Sequence, residues 1–126
     1  MLKETELRIG NIVNYKNENV IVDRISTIGI NSEYGETLYM SEEIEPIPIT
    51  EDILLKCGFI EVFGVKKEYK IKINKKEDIL VYNLIVEETS IWTDYGGFYL
   101  DNQINYIHQL QNLYFALTGN ELTIKL

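Results

Sequence analysis

The single histidine and the single cysteine limit the chemistry that this chain could perform. Cys57 and His108 are the only residues of their types among 126. Any site that needs two thiolate ligands or two imidazole ligands is therefore excluded. A nucleophilic pair of Cys57 with His108 stays open, because the partners in such pairs need not be neighbours in sequence. The apolar residues around Cys57, from Leu54 to Phe59, favour a buried structural thiol instead.

Adjacent carboxylates are the second feature that could carry chemistry, as acid and base or as magnesium ligands. Neighbouring residues of a strand point to opposite faces, however, and acids at the start of a helix stabilise its N-terminus. These acids are therefore predicted to be solvated. The sequence predicts no catalytic residue, no metal site and no cofactor. The adjacent carboxylates are Glu42 with Glu43, Glu51 with Asp52, and Glu87 with Glu88.

Six lysines lie between Lys66 and Lys76 in a chain whose formal net charge is −8. As a functional surface this segment would bind nucleic acid through phosphate contacts. As structure it is an exposed strand whose lysines prevent edge-to-edge pairing. Tyr69 shares a strand face with Ile71 and Ile73, so it is predicted in the core and not as a stacking platform. We favour the structural interpretation, which makes nucleic-acid binding the alternative function.

The acidic segments on either side of these lysines give a third hypothesis. Residues 1–50 carry 9 acids and 4 bases, and residues 78–126 carry 6 acids and 1 base. Such segments could imitate the charge of a nucleic acid and occupy the basic groove of a host enzyme. This alternative, like the lysine surface, predicts binding that weakens as salt rises.

The first 49 residues have the pattern of short, bent strands. Residues 7–15 and 20–25 are β-branched runs around the turn-forming residues 17–19, which predicts a hairpin. Residues 28–30 and 37–40 predict two further short strands. Together they predict a curled antiparallel sheet, with an SH3-like barrel as one form of it.

Prolines and capping residues mark a change near residue 50. Pro46 and Pro48 lack the N–H that a central strand needs, so the segment around them is predicted to be a connector. Thr50 can cap a short helix over residues 51–57, and Gly58 stands where such a helix would end. We expect a single domain over residues 1–126, with a barrel-like part up to residue 49 and a second part from residue 50.

Alternating apolar and polar residues predict a second antiparallel sheet after this helix. The period is two over residues 68–74, and a second apolar run covers residues 79–86. Residues 90–100 hold four aromatic side chains around Gly96 and Gly97, which predicts a tight hairpin.

A long helix is predicted at the C-terminal end, from a cap at Asp101 or Asn102 to Thr118. Residues 122–126 are predicted to return as an edge strand. The predicted fold class is α+β, with an N-terminal curled antiparallel sheet, a short helix, a second antiparallel sheet and a long C-terminal helix.

The predicted C-terminal helix is unusual because residues 102–120 contain no Asp, Glu, Lys or Arg in a chain that is 25% charged. Exposed helical faces normally carry Lys and Glu. Their absence predicts that the polar face of this helix is covered as well as the apolar one. One hypothesis places the helix between the sheet and the N-terminal strands of the same chain. The other is a contact surface for a protein partner or a second copy, formed by His108, Gln111, Asn112 and Phe115.

The expected compartment is the cytoplasm, and no membrane contact is expected. No stretch of sequence approaches the roughly 18 apolar residues of a membrane span. The first residues, MLKETELRIG, lack the basic and then apolar order of a signal peptide.

Four segments of the sequence carry a resemblance when they are taken together. They are residues 7–13 (LRIGNIV), 46–51 (PIPITE), 54–59 (LLKCGF) and 108–122 (HQLQNLYFALTGNEL). The chain resembles a group of small uncharacterised proteins of Bacteroidetes genomes, prophages and phages. The resemblance spans most of the chain, with a weaker match over residues 60–100. It implies an origin and a small accessory protein that binds a host component, and it supplies no mechanism and no catalytic residue. From the absence of a catalytic constellation we expect a non-enzymatic module that binds a protein.

Overall fold

Ten strands and two helices make up the described part of the structure, a computed structural model. The chain divides into two compact units, Met1–Pro48 with Tyr106–Leu113, and Ile49–Asn105 with Tyr114–Leu126. The expectation of one domain with parts meeting at residues 49 and 50 stays a prediction. The residues described are 2, 6–25, 29–33, 37–39, 44–100 and 104–124.

The first unit holds a five-stranded antiparallel sheet in the order β4-β3-β2-β1-β5. The predicted hairpin is confirmed as β1 and β2, whose two-residue turn places Lys16 and Asn17 at φ of 49° and 67°. The two further short strands are confirmed as β3 and β4. The strands are β1 (Ile12–Tyr15), β2 (Glu18–Ile25), β3 (Gly29–Ser32), β4 (Thr37–Tyr39) and β5 (Ile44–Glu45).

The prediction of a curled sheet is confirmed. The long strand β2 pairs with β1 along its first part and with β3 along its second, and the register shifts between Val22 and Arg24. The predicted first strand is shorter than expected because Arg8 to Asn11 form a turn, in which the Asn11 N–H donates to the Arg8 carbonyl at 3.0 Å. The buried core of the sheet contains Leu2, Leu7, Val13, Val20, Val22, Ile30 and Ile44.

The second unit begins with the short helix that the sequence predicts, α1 (Glu51–Lys56). The Thr50 hydroxyl accepts a hydrogen bond from the Ile53 N–H at 3.3 Å, which makes Thr50 the N-cap. Gly58 has a φ of +97°, the left-handed conformation that commonly ends a helix.

A second antiparallel sheet follows, as predicted, in the order β10-β9-β8-β7-β6. The predicted strand over residues 79–86 ends at Asn83, because the Asn83 side chain accepts hydrogen bonds from the Ile85 and Val86 N–H groups and starts a turn. The strands are β6 (Ile60–Glu61), β7 (Glu68–Lys72), β8 (Ile79–Asn83), β9 (Glu88–Thr93) and β10 (Gly96–Tyr99).

The C-terminal helix α2 (Ile107–Thr118) has 12 residues, so the prediction of a long helix is wrong. The chain before it is extended, since Tyr106 forms an isolated β-bridge with Pro48 and the Ile107 N–H donates to the Ile47 carbonyl at 2.8 Å. The helix therefore starts at Ile107. The Gln109 side chain accepts a hydrogen bond from the Tyr106 N–H at 3.1 Å, as in a capping box.

Three further expectations concern the ends of this region. The predicted caps, Asp101 and Asn102, lie outside the described residues. The predicted edge strand is wrong for residues 122–124, which belong to no strand, and residues 125 and 126 lie outside the described part. Within the described ranges, no helix is long and apolar enough to cross a membrane.

Candidate functional site

The polar face of α2 is covered in its first part, as the lack of charged residues predicts, but residues 115–117 are uncharged and exposed, so the prediction fails for the end of the helix. His108 and Gln111 are only 1% and 2% exposed. Asn112 is half-buried, and Phe115 is 39% exposed. The four residues of the predicted contact surface therefore differ in accessibility, and Phe115 is the one most open to solvent.

The Gln111 side chain is bonded to the turn that precedes β1. Its Oε1 accepts hydrogen bonds from the Ile12 backbone N–H at 2.9 Å and from the Asn11 side chain at 3.4 Å. Its Nε2 donates to the Gly10 carbonyl at 3.1 Å. Both ends of the amide thus have partners within the first unit.

Asn112 extends this network by one residue. Its Oδ1 accepts hydrogen bonds from Asn11 Nδ2 at 2.8 Å and from Arg8 Nε at 3.1 Å. Its Nδ2 donates to the Glu6 carbonyl at 3.2 Å. Gln111 and Asn112 therefore hold the N-terminal segment of their own chain, as in the intrachain hypothesis. The contact surface predicted from the sequence stays a prediction. Of its four residues, Phe115 is the one exposed enough to contact a partner.

His108 is the unusual residue of this face. It is buried and its ring stacks on that of Tyr106, with centroids 6.1 Å apart and planes 12° apart. Neither Nδ1 nor Nε2 has a hydrogen-bond partner. Burial lowers the pKa of His108, an effect that the negative charge of Glu6 partly opposes. A buried polar group without a partner typically costs about 1–3 kcal/mol, so this arrangement calls for an explanation.

A cavity of about 720 Å³ lies in the first unit, and His108 is one of the residues that line it. Its other polar lining residues are Glu6, Glu45 and Tyr106. Sequence reasoning missed this cavity, and the available signal was the lone histidine within an uncharged helix. The apolar residues of the wall are Leu2, Ile44, Pro46 and Pro48.

Cys57 is a buried thiol, as the apolar sequence around it predicts. Burial raises the pKa of Cys57 to about 12. A nucleophilic cysteine needs the opposite shift, toward a stable thiolate. His108 belongs to the other compact unit, and neither of its ring nitrogens has a hydrogen-bond partner.

The acids at the start of α1 pair with lysines. Glu51 lies 3.0 Å from Lys67 Nζ, and this hydrogen bond holds the pKa of Glu51 below its usual value. Asp52 lies 2.9 Å from Lys56 Nζ, one helical turn later. Both carboxylates thus stabilise the first turn of α1 and pair with lysines, which is the structural role that their position predicts.

The other adjacent carboxylates show no metal-binding arrangement. Glu87 and Glu88 are exposed where β9 begins. Glu42 and Glu43 lie outside the described residues. In the part of the chain that the structure describes, no three His, Cys, Asp or Glu side chains are grouped to hold a metal ion.

The lysine segment is partly neutralised by neighbouring acids. Lys67 pairs with Glu51, and Lys72 Nζ lies 3.2 Å from Glu77. Tyr69 is 1% exposed, which confirms its predicted place in the core. No aromatic platform for bases therefore lies at the centre of the segment, which is unlike the stacking surfaces of single-strand binders.

The β9–β10 hairpin presents aromatic side chains to solvent. Tyr95 is fully exposed, while Phe98 and Tyr99 are 54% and 66% exposed. Trp92 lies flat over Gly97, where an added Cβ would collide with the indole ring. The turn is formed by Asp94 and Tyr95, so the predicted aromatic hairpin exists but turns two residues earlier than its glycines suggest.

The outer edge of β10 carries backbone groups that point away from β9. The Leu100 N–H donates to the Thr89 carbonyl at 3.0 Å. Hydrogen-bonded and non-hydrogen-bonded pairs alternate along an antiparallel ladder, so the backbone groups of Phe98 point toward β9. The N–H and C=O groups of Gly97 and Tyr99 then point outward. Since β10 is the last strand of its sheet, these groups lie on its edge.

Comparison of this chain with protein-family models, with curated proteins and with solved structures finds no match. Nothing in these comparisons bears on the resemblance to phage and Bacteroidetes proteins.

Proposed function

We propose that this chain is a non-enzymatic binding module that takes an extended segment of a partner protein onto the outer edge of β10. The observation that carries the proposal is the exposed edge itself. Gly97 and Tyr99 direct backbone donors and acceptors away from the sheet, and every residue of β10 is exposed. Adding a strand to such an edge is a common mode of peptide recognition.

The composition of β10 supports a binding role for this edge. Natural edge strands are usually protected from pairing by Lys, Pro, a bulge or an inward-pointing charge. The β10 sequence, GGFY, has no charged residue and no proline. Trp92 and Tyr99 lie on one face of the hairpin and Phe98 on the other, so both faces of this edge carry aromatic side chains of the kind enriched in interface cores.

The charges around the hairpin indicate the chemistry of the partner segment. Asp94 is exposed at one end of β9, and Glu87 and Glu88 are exposed at the other end. A partner strand with apolar residues in its centre and Lys or Arg on its flanks would complement this pattern. Two copies of the chain, each with a net charge of −8, would repel one another. We therefore commit to a foreign partner over a second copy.

Two finer proposals accompany this one. The strand order of the first unit, in which β5 returns to pair with β1, supports an SH3-like arrangement of that sheet. We also propose, from the sequence resemblance alone, that the protein is a small cytoplasmic accessory protein of phage origin. The proposal that β10 binds a partner segment depends on neither the SH3-like arrangement nor the phage origin.

The test is selection of ligands from a displayed library of random 12-residue peptides. Binding is then measured by the fluorescence of Trp92, the only tryptophan of the chain. We expect the selected peptides to alternate apolar residues and to carry Lys or Arg at both ends. A library that gives no enriched peptides, or only acidic ones, contradicts the proposal.

A pair of substitutions at Tyr99 separates the backbone from the side chain. Tyr99→Pro removes an outward N–H at a position where edge strands tolerate proline, and we expect it to abolish peptide binding. Tyr99→Thr keeps that N–H and loses only the ring, so we expect a weakening of about three- to tenfold. Equal affinity of the wild type and the Tyr99→Pro variant for a selected peptide would contradict the proposal. A dimer of the chain alone that Tyr99→Pro dissociates would replace the foreign partner by a second copy.

A further inference from the structure

The edge of the second sheet opposite β10 leaves the backbone N–H of Lys72 without a strand to bond it. The Val62 N–H donates to the Glu68 carbonyl at 2.9 Å, and bonded positions alternate along an antiparallel ladder. The backbone groups of Lys70 and Lys72 therefore point in the same direction as those of Glu68, toward β6. Lys70 pairs with Ile60, the first residue of β6, so no residue of the described sheet covers the N–H of Lys72.

The end of α1 explains this gap. The residue that would face Lys72 in the ladder is Gly58, whose N–H instead donates to the Leu55 carbonyl at 3.1 Å. Gly58 has a φ of +97° and turns the chain out of the helix before β6 begins. A cavity of about 580 Å³ lies beside the uncovered part of β7, and Gly58 and Lys72 are among its lining residues.

The size and the walls of this cavity suit a small molecule. Its volume falls within the range of roughly 300–1,000 Å³ that is typical of ligand pockets. Ile60, Ile71 and Ile79 line it, and Ile60 is 59% exposed. A ligand with an apolar body would remove this surface from water, which is favourable in proportion to the area covered.

The uncovered part of β7 is too short for a strand of a partner protein. β6 pairs with β7 as far as Lys70, and a turn follows at Ile73, whose N–H donates to the Asp78 carbonyl at 2.9 Å. One ladder position, that of Lys72, lies between them. A small ligand can use the N–H of this position, whereas an added strand needs several such positions.

The charges at the cavity indicate an anion. Lys70 and Lys72 line it, and Glu77 is the single acid among its described lining residues. The ammonium of Lys72 lies 3.2 Å from the Glu77 carboxylate. Lys70 is half-buried, and no carboxylate of the described residues lies within ion-pair distance of it. The cavity therefore has an excess of positive charge, although the whole chain is acidic, because salt screens charges beyond about 8 Å.

We propose that this cavity binds a small carboxylic acid, a carboxylate attached to an apolar body. The carboxylate accepts hydrogen bonds from the backbone N–H of Lys72 and from the ammonium of Lys70. The apolar body packs against Ile60 and Ile79. This site goes beyond the proposed function, since β6 and β10 form opposite edges of the second sheet.

Two-dimensional NMR of the wild type tests the site through the amide signal of Lys72. Hexanoate, hexanol and hexylammonium share one apolar chain and differ in charge. We expect a saturable downfield shift of the Lys72 N–H with hexanoate, at least about tenfold weaker binding of the alcohol, and no binding of hexylammonium. No saturable shift of the Lys72 N–H, or binding of either other probe as tight as that of hexanoate, would overturn the proposal. Tighter binding of acetyl-leucyl-leucine would replace the small acid by the C-terminus of a protein.

A pair of lysine substitutions separates the site from the overall charge of the chain. Lys70→Gln should weaken hexanoate binding about three- to tenfold and leave hexanol binding unchanged. Lys66→Gln removes the same charge from an exposed position of the same unit outside the cavity, and it should change neither. The Tyr99→Pro variant should bind hexanoate as the wild type does, so this site and the β10 edge can fail independently. Equal losses for Lys70→Gln and Lys66→Gln would contradict a site at this cavity.

Discussion

The side-chain Oε1 of Gln111 accepts a hydrogen bond from the backbone N–H of Ile12 at 2.9 Å, although 99 positions separate the two residues in sequence. This contact explains much of the missing charge in α2. A side-chain amide both donates and accepts, as the Gly10 carbonyl and the Ile12 N–H require, whereas lysine only donates and glutamate only accepts. Uncharged amides are thus the residues that can bond a buried turn of backbone.

Replacing Gln111 by alanine should lower the free energy of unfolding by about 2–4 kcal/mol. The substitution leaves the Ile12 N–H and the Gly10 carbonyl without their partner in a buried place. Chemical denaturation of both proteins measures the difference. Gln109→Ala is the matched control, and it should cost only about 1 kcal/mol because it removes a single capping contact to Tyr106. A smaller loss for Gln111→Ala than for Gln109→Ala would contradict this role.

Gly97→Ala should displace the ring of Trp92. The new methyl group would collide with the indole, so we expect a changed emission spectrum and a loss of about 1–3 kcal/mol in stability. Gly96→Ala is the control, because Gly96 has a φ of +119° and open space around its Cα. That variant should lose about 1–3 kcal/mol through backbone strain alone and keep the native emission, so the emission spectrum separates the two substitutions. Identical spectra for all three proteins would show that Trp92 does not lie over Gly97.

The stability of the protein should fall as the pH drops below about 6.5, the pKa of an unperturbed histidine. Burial lowers the pKa of His108, so the unfolded chain binds a proton that the folded chain resists. Stability therefore rises with pH in this window, with a slope of at most ~1.4 kcal/mol per pH unit. Glu6 and Glu45 line the same cavity as His108. The loss of stability of the wild type with falling pH is therefore compared with that of the His108→Gln variant, which isolates the effect of the imidazole. Equal pH dependence in the two proteins would refute this prediction.

The thiol of Cys57 should react very slowly with disulfide reagents in the native protein. Its pKa is raised from 9.0 to about 12, which lowers the thiolate population about a thousandfold near neutral pH. Stopped-flow measurement of thiol release, in buffer and in urea, gives the native and unfolded rates. A native rate close to that of the unfolded chain would mean that Cys57 is accessible and reactive.

The secondary structure could be predicted where local chemistry decides it. Thr50 and Gly58 define both ends of α1. The first hairpin could also be predicted, but its turn lies at Lys16 and Asn17 instead of residues 17–19, because Glu18 and Asn19 already belong to β2. The start of α2 could not be predicted in this way. It depends on the pairing of Tyr106 with Pro48, a contact 58 residues away in the chain that no local pattern reveals.

Less of the candidate sites than of the fold could be predicted from the sequence. The missing charges predicted correctly that the first part of α2 is covered and wrongly that residues 115–117 are, and they did not show which of the two proposed covers, the same chain or a partner, applies. The cavity beside His108 requires Pro46 and Tyr106 to meet, which is a tertiary event. The edge position of β10 depends on strand order, and periodicity indicates only that a strand exists.

Amide hydrogen exchange in β10 tests the proposed function most directly. With a selected peptide at saturation, exchange of the Gly97 and Tyr99 N–H groups should slow at least about tenfold, because the added strand bonds them. The Phe98 N–H already points toward β9 and should change little. Unchanged exchange at Gly97 and Tyr99 in a fully bound sample would show that the partner does not extend the sheet at β10.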